Sequence, residues 1–285
     1  MANMVVRTNV FALNAHRNMR NVGADQQRAS QRLSSGYRIN SAADDAAGLA
    51  ISETMRAQIR GLDQASRNAQ DGQALINTAE GGMQEIQNMF QRVRELLVQA
   101  SNDTNTDTNR DQINLEMAAL LEEVDAMASR VEFNGMTLLD GSYATTALFF
   151  QIGANSDQNL TVNIEDMRLD EILSRGTGIS AGDLDISGVT TGEEIHALID
   201  EIQGALDDIS MQRAKLGAVS NRLDFTTKSL EISSENLSDA ESRVRNTDMA
   251  KEMMNFTMAN VLQQAAVSML AQANQLPNNL LQLLR

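Results

Sequence analysis

The chain of 285 residues contains no cysteine and no tryptophan, and it has one proline, two tyrosines and seven phenylalanines. Without cysteine, a disulfide framework, a thiolate metal site and a cysteine nucleophile are excluded. The two histidines, His16 and His196, lie far apart in the sequence, which argues against a histidine-rich metal site. Basic residues are scarce, since 23 Lys and Arg stand against 38 Asp and Glu and the net charge is -15. Nucleic acid and anionic membranes are therefore poor candidates for the main partner.

Neither end of the chain has the apolar run of a targeting or membrane segment. The basic N-terminal stretch MANMVVRTNVFALNAHRNMRN lacks a run of seven apolar residues and a cleavage-type ending, so we expect no cleavable signal peptide. Residues 253–284 carry no charged side chain, but ten of these 32 residues are Asn or Gln. We expect this segment to pack against protein and not to span a membrane.

Apolar residues recur at steps of three and four in both flanks of the chain. One stripe runs from Met55 through Phe90 to Leu97, and a second runs from Ile113 to Val131 after the polar stretch SNDTNTDTNRD. This period predicts two helices joined by a turn and packed antiparallel. Ser41 with Asp44 three residues later predicts the capped start of the first helix.

The C-terminal stripe is longer and weaker. From Leu216 to Gln275 the series includes Met254, Met258 and Val261, but also many Ser, Thr and Gln positions. A proline-free periodic segment of about 80 residues would span roughly 120 Å as one helix, which favours coiled-coil-like packing. Two ordinary helices with a break near residues 247–251 are an equally open alternative.

Two short segments between the flanks have the character of strands. ALFFQIGA and NLTVNIED are rich in β-branched and aromatic residues, and the second alternates apolar and polar positions. The predicted fold is therefore mainly α, with long coiled-coil-like antiparallel helices forming a rod and a small β-hairpin region at about residues 136–190.

No motif with catalytic or metal chemistry is present. The run from Asp103 to Asp111 alternates oxygen-bearing side chains as a calcium loop does, but Thr108 replaces the required glycine and Asn114 the required glutamate. H-E-x-x-H, a phosphate-binding glycine loop and G-x-S-x-G are all missing from the sequence. We therefore expect neither an enzyme nor a metal or cofactor site.

Three long segments closely resemble bacterial flagellin, the filament subunit of the flagellum: RASQRLSSGYRINSAADDAAGLAISETMRAQIRG, RVEFNGMTLLDG and LQQAAVSMLAQANQLPNNLLQLLR. The resemblance covers roughly residues 1–141 and 205–285. It implies that residues 1–44 and 243–285 pair as helices lining the filament core, whereas 45–242 form the helical rod with its small β region. The implied function is a structural subunit that polymerises into the filament for swimming motility; the alternative is a hook-filament junction protein.

The same resemblance implies partners. They are other copies of the chain, the flagellar export apparatus with a flagellin export chaperone, and the filament cap and junction proteins. The implied location is extracellular, in the flagellum, which the chain would reach through the export channel. Copies are expected to bury apolar side chains of the terminal helices against one another. These candidate self-assembly residues are Leu33, Leu262, Val267, Leu270, Leu276, Leu280, Leu281, Leu283 and Leu284.

The flagellin resemblance also implies recognition by the flagellin-sensing Toll-like receptor of hosts. The matching positions are Arg92, Leu96 and Gln99 within QRVRELLVQ, and Glu116 on the following helix. Spacings of four and three place the first three residues on one helix face, where they would offer a guanidinium, an apolar side chain and an amide. The alternative is that Arg92 and Leu96 only pack or pair within the rod.

Overall fold

The computed structural model of the chain describes residues 8–176, 178, 184 and 192–283, with backbone alone at 192–194 and 276–283. The mainly α fold with a small β region in the middle of the chain is confirmed. In chain order the elements are α1 (Val10–Ser35), α2 (Ala46–Ala100), α3 (Asp107–Arg130), β1 (Glu132–Phe133), β2 (Met136–Thr137), α4 (Ser142–Thr145), β3 (Leu148–Gln151), β4 (Asn159–Val162), α5 (Leu169–Gly176), α6 (Gly192–Arg245) and α7 (Met249–Leu283).

The chain divides into two compact units. Unit 1 comprises Met1–Ala57 with Asn236–Arg285, and unit 2 comprises Gln58–Glu235. Helices α2 and α6 contribute residues to both units. The domain limits expected from the sequence, at 44/45 and 242/243, lie next to helix ends, because α2 begins at Ala46 and α6 ends at Arg245. Of the two alternatives for the C-terminal segment, the structure has two helices with a break before Met249.

Unit 2 is built around an apolar core between long helices. Polar contacts align α2 antiparallel to α6, since Ser234 donates to Asp63 at 2.8 Å and Arg213 donates to Glu80 at 3.2 Å. The core side chains that are fully buried include those predicted from the stripes of α2 and α3, namely Met83, Ile86, Phe90, Val93, Leu97, Met117 and Val124. The period of three and four therefore identified the buried face of both helices.

The polar stretch between α2 and α3 is the predicted turn. Arg110, on the first turn of α3, is only 4% exposed, and its Nε donates to the carbonyl of Ala100 at 3.2 Å. That carbonyl belongs to the last residue of α2, which has no partner within its own helix. Arg110 thus fixes the end of α2 against the start of α3.

The β region consists of two separate antiparallel pairs. β1 and β2 are joined by Asn134 and Gly135, which have φ angles of 53° and 76°, as a two-residue hairpin turn of the primed type requires. β3 and β4 pair with Leu148 opposite Val162, at the two segments predicted to be strands. The region begins at Glu132, earlier than the expected limit near residue 136.

The start of α2 differs from the expected capping box. Asp44 accepts hydrogen bonds from the backbone N–H groups of Asn40 and Ser41 and from the Ser41 hydroxyl, but it closes a turn that precedes the helix. The helix itself begins at Ala46, where Asp45 accepts from the N–H of Gly48 at 2.9 Å. The predicted pairing of Ser41 with Asp44 exists, whereas the expectation that it starts the helix was wrong.

Candidate functional site

Helices α1 and α7 pack against each other as an antiparallel pair within unit 1. Asn9 donates to the carbonyl of Ala273 at 2.7 Å, and Gln26 donates to Asn260 at 2.5 Å. Asn9 also caps α1, because its side chain accepts from the N–H of Ala12 at 3.0 Å. As the position along α1 rises, the partner along α7 falls, so the two chain ends run in opposite directions.

The buried apolar side chains in the contact between these helices are small. The buried apolar residues of α1 and α7 in the described part of the chain are Ala29, Ala259 and Ala273. An alanine contributes one methyl group, and burial of one such carbon is worth only about 0.8 kcal/mol. The half-buried Gln263 additionally places its Oε1 out of reach of both water and a hydrogen-bond donor. Tertiary packing therefore gives this pair far less stabilisation than the core gives unit 2.

The opposite side of α7 is apolar and exposed. Met253, Met254, Thr257, Met258 and Val261 line a shallow groove there, which we call the methionine face of α7. Met254 is 65% exposed and Val261 60% exposed. The stripe from the sequence analysis that includes Met254, Met258 and Val261 lies on this face. Within one copy of the chain the contact with α1 uses the other side of α7, whose buried apolar residues, among those described, are Ala259 and Ala273, and the stripe is left exposed.

The candidate self-assembly residues fall into four groups. Leu262 and Val267 are exposed, at 48% and 52%, whereas Leu33 and Leu270 are half-buried. Helix α7 extends through the positions of four more leucines, whose side chains lie outside the described part of the chain: Leu276, Leu280, Leu281 and Leu283. Leu284 lies outside the described residues altogether.

A charged cluster around Tyr37 holds the inner ends of these helices. The guanidinium carbons of Arg56 and Arg245 lie 5.4 Å and 4.9 Å from the centre of the Tyr37 ring. Arg56 also donates to the Tyr37 hydroxyl at 2.9 Å and forms an ion pair with Glu241 at 3.2 Å. Arg245 pairs with Glu53 at 2.5 Å. Both guanidiniums are thus attracted to the ring and neutralised by a carboxylate.

Backbone hydrogen bonds complete this junction. Arg38 donates its N–H to the carbonyl of Arg245 at 2.7 Å, and Thr247 donates to the carbonyl of Gly36 at 3.0 Å. Gly36 ends α1 with a φ of 75°, which a residue with a side chain rarely adopts. The segments after α1 and before α7 are therefore fixed to each other at both backbone and side chains. Sequence reasoning missed this junction because it joins residues about 200 positions apart.

Three of the four candidate receptor-contact residues share an exposed surface of unit 2. Arg92 and Glu116 are 48% and 49% exposed, and Arg92 Nη2 donates to Glu116 Oε1 at 2.9 Å. The hydrogen bond to Glu116, followed by that to Glu95, raises the pKa of Arg92 above its usual value. Gln99 is exposed two turns further along α2.

Leu96 does not join this surface. Its side chain is 1% exposed and belongs to the core of unit 2. At about 100° per residue, Leu96 is turned some 40° from Arg92, toward the buried side that holds Val93. The expectation that Leu96 presents an apolar side chain to a partner was therefore wrong for this conformation. The alternative, that it packs within the chain, describes its position.

These surfaces are the candidate functional features of the described residues. Within those ranges, no group of three or more His, Asp or Glu side chains could hold a metal ion. Across the same part of the chain, no helix is long and apolar enough to cross a membrane.

Comparison with known proteins assigns the family. The profile of the bacterial flagellin N-terminal helical region matches residues 6–144, and that of the C-terminal helical region matches residues 199–284. The chain is 48% identical to a flagellin of Bacillus subtilis and 49% identical to a flagellin of Halalkalibacterium halodurans, with 99% of this chain and all of each relative covered. A flagellar filament 33 kDa core protein of Treponema phagedenis is 42% identical over 99% of this chain and its own full length.

Both matched regions contain the features described above. The N-terminal match includes α1 and the core stripe of α2, and the C-terminal match includes the methionine face of α7. Neither the profiles nor these three relatives favour the hook-filament junction alternative. The chain therefore belongs to the bacterial flagellin family, the structural subunits that polymerise into the flagellar filament.

Proposed function

We propose that copies of this chain polymerise by burying the methionine face of α7 against neighbouring copies. The observation that carries the proposal is that this apolar face is about half exposed or more, on a helix whose other side already packs against α1. Exposed contiguous apolar surface on a single soluble chain marks an interaction site. Full burial of a Met or Val side chain is worth about 1.5–3 kcal/mol, so each half-exposed one stands to gain about 1 kcal/mol on assembly.

The same contact explains how a filament can form from identical chains. The α1 side and the methionine face of α7 are different surfaces, so a neighbour that covers the methionine face still presents its own to the next copy. Contacts between unlike surfaces that do not close into a ring generate open helical polymers. The 320 Å³ groove that Val22, Ala29, Ala259 and Leu262 line together with charged residues is a second surface of this pair, partly polar, that a copy can occupy.

Replacement of Val261 by aspartate tests the proposal. An unpaired carboxylate in an apolar contact is costly, so Val261→Asp should abolish seeded polymerisation while the circular dichroism of the monomer stays unchanged. Val261→Leu is the matched control and should polymerise. If Val261→Asp pelleted like the wild type, the methionine face would not be an assembly contact. Leu270→Asp is less informative, because Leu270 is half-buried and its replacement would also disturb the monomer.

Electron microscopy of the seeded wild-type protein separates the filament subunit from the junction protein. Long filaments are expected for a filament subunit. Short caps or inert monomers would instead favour the hook-filament junction role.

The weak α1–α7 contact supports a second part of the proposal, that the described residues 8–44 and 243–283 of the expected terminal segments 1–44 and 243–285 are mobile in the monomer and held as helices in the polymer; the remaining positions of these segments lie outside the described residues. Isolated helices with little tertiary packing are marginal in water. Limited proteolysis should trim both ends of the monomer and spare them in filaments. Equal resistance in the two states would contradict this part.

We also propose the remaining flagellin partners for this chain: the export apparatus and export chaperone, the filament cap and junction proteins, and export through the flagellar channel to the cell exterior. An exposed apolar face needs cover before assembly, which supports a chaperone that binds α7. The absence of cysteine is compatible with passage as an unfolded chain. A chaperone bound at α7 should protect the C-terminal segment of the monomer from protease, and unchanged cleavage would exclude this contact.

Receptor recognition through Arg92, Gln99 and Glu116 remains part of the proposal, whereas Leu96 would contribute only to the packing beneath them. The support is their common exposure on unit 2. Arg92→Ala should weaken binding of the monomer to the ectodomain of the flagellin-sensing Toll-like receptor. Arg94→Ala is the matched control, since Arg94 is also exposed on α2 but points about 200° away. Equal affinities of the two variants would remove Arg92 from the contact.

A further inference from the structure

Methionine is the residue through which this chain can respond to oxidants. The sequence has 16 methionines and neither cysteine nor tryptophan. Peroxides convert the thioether of methionine to a sulfoxide, and susceptibility follows exposure. The position of each methionine in the fold therefore decides where oxidation begins.

Exposed methionines are concentrated on α7. Among the described residues, the methionines that are 48% or more exposed are Met211, Met249, Met253, Met254, Met258 and Met269, and all but Met211 belong to α7. The core of unit 2 also contains methionines, but Met83, Met117 and Met167 are 0% exposed. A limited dose of oxidant should thus reach α7 while the core methionines remain reduced.

We propose that the exposed methionines of α7 form an oxidation site for hydroperoxides, at which sulfoxide formation reversibly blocks polymerisation of the free subunit. The effect on polymerisation rests on the function proposed above, whereas the selectivity of oxidation does not. In the reaction a lone pair of the methionine sulfur attacks the terminal peroxide oxygen, an S–O bond forms and the O–O bond breaks, and the proton of the transferred oxygen passes to the departing oxygen, which leaves as water or, from an organic hydroperoxide, as an alcohol. The sulfur is oxidised by two electrons, and hydrogen peroxide is reduced to water.

The product changes the surface that the proposed assembly contact uses. Met253, Met254 and Met258 line the groove of the methionine face together with Val261, so each sulfoxide adds a polar oxygen to it. Burial of such an oxygen without a hydrogen-bond donor is unfavourable. Three sulfoxides on the methionine face of a free subunit would together disfavour the assembly contact. In a filament that already covers this face, the methionines would be protected from peroxide. Reductases that act on methionine sulfoxide would restore the apolar surface.

Peptide mapping tests the selectivity. Monomer and preformed filaments are treated with hydrogen peroxide, digested and analysed by mass spectrometry. In the monomer, Met253, Met254 and Met258 should oxidise at least about tenfold faster than Met83 and Met117, because susceptibility follows exposure. In filaments their oxidation should slow by a similar factor. Equal rates at α7 and at the core methionines would overturn the proposal.

Polymerisation of defined variants tests the consequence. Oxidised wild type and oxidised Met211→Leu should lose seeded pelleting, and treatment with methionine sulfoxide reductases should restore it. A variant with leucine at Met249, Met253, Met254, Met258 and Met269 is compared with itself before and after peroxide: whatever its level of pelleting before treatment, peroxide should leave that level unchanged, since leucine has no sulfur to oxidise. Loss of pelleting by the oxidised leucine variant would overturn the α7 assignment, and so would normal pelleting of oxidised wild type. A failure of the proposed function is recognised separately, by normal pelleting of unoxidised Val261→Asp.

Discussion

Replacement of Gln263 by leucine should stabilise the α1–α7 pair of the free subunit. Gln263 is half-buried on the side of α7 that packs against α1, and its Oε1 is close to the position that a Cβ on Gly23 would occupy, at 3.5 Å. The Oε1 is buried without a hydrogen-bond donor. Leucine removes this polar atom and adds an apolar side chain in the same place.

The size of the effect follows from these two changes. A buried polar atom without a partner costs about 1–3 kcal/mol, and partial burial of a leucine contributes about 1 kcal/mol. Glutamine and leucine have nearly equal helix propensities, so the helix itself is unaffected. We expect the free energy of local opening of the pair to rise by about 2 kcal/mol, which corresponds to a roughly 30-fold change in the opening equilibrium.

Hydrogen exchange on the monomer measures this opening directly. Amides in the middle of α1 and α7 should exchange about 30-fold more slowly in Gln263→Leu than in the wild type, while amides of unit 2 should be unchanged. Gln264→Leu is the matched control, because Gln264 is exposed and its replacement should leave exchange unaltered. Unchanged exchange in Gln263→Leu, or equal slowing in both variants, would refute the assignment of Gln263 to the contact.

Three further predictions concern other parts of the chain. Phe90→Ala empties a fully buried site in unit 2 and should lower its free energy of unfolding in urea by about 3–5 kcal/mol. Tyr37→Leu removes two cation–π contacts and the hydroxyl that accepts from Arg56. Hydrogen exchange of the Arg38 and Thr247 amides, which pair across the junction, should therefore become faster by an amount equivalent to about 2 kcal/mol. Tyr37→Phe should show a smaller change. Hydrogen bonds lower the pKa of Asp44 below its ordinary 3.8; they come from the Ser41 N–H, then from the Ser41 hydroxyl and the Asn40 N–H. The stabilisation that these bonds to the ionised carboxylate give the folded chain is therefore complete above pH 3.8 and is lost as the pH falls through the depressed pKa. NMR titration of the Asp44 carboxyl should show this low pKa, and a titration at or above 3.8 would contradict it.

The sequence predicted the core of unit 2 because large apolar residues mark it. Met83, Ile86 and Phe90 repeat at the helical period, and each is fully buried. In unit 1 the same criterion identified the exposed side of α7. The buried apolar residues described on the side that packs against α1 are Ala259 and Ala273, which carry a weak hydrophobic signal, whereas the large residues of the methionine face are exposed.

Other features differ in whether the sequence carried a signal for them. Asn134 followed by Gly135 is a strong marker of a two-residue hairpin turn, and attention to it would have predicted β1 and β2. The position of Leu96 was also predictable, since Val93 and Leu97 beside it define the apolar side of α2. The ring of Tyr37 between Arg56 and Arg245 was not, because contacts between residues so distant in sequence depend on the folded chain.

The antiparallel α1–α7 pair, fixed at its inner end by the junction around Tyr37, restricts how these helices can change in length. One residue inserted into α1 alone would rotate the part of α1 between the insertion and Asn9 by about 100°, and Asn9 would move away from the carbonyl of Ala273. Seven residues inserted into both helices would preserve the facing surfaces, because seven residues complete close to two turns. Lengthening that leaves the pair intact therefore has to occur in both helices together, in steps such as seven or eleven residues that complete close to whole turns.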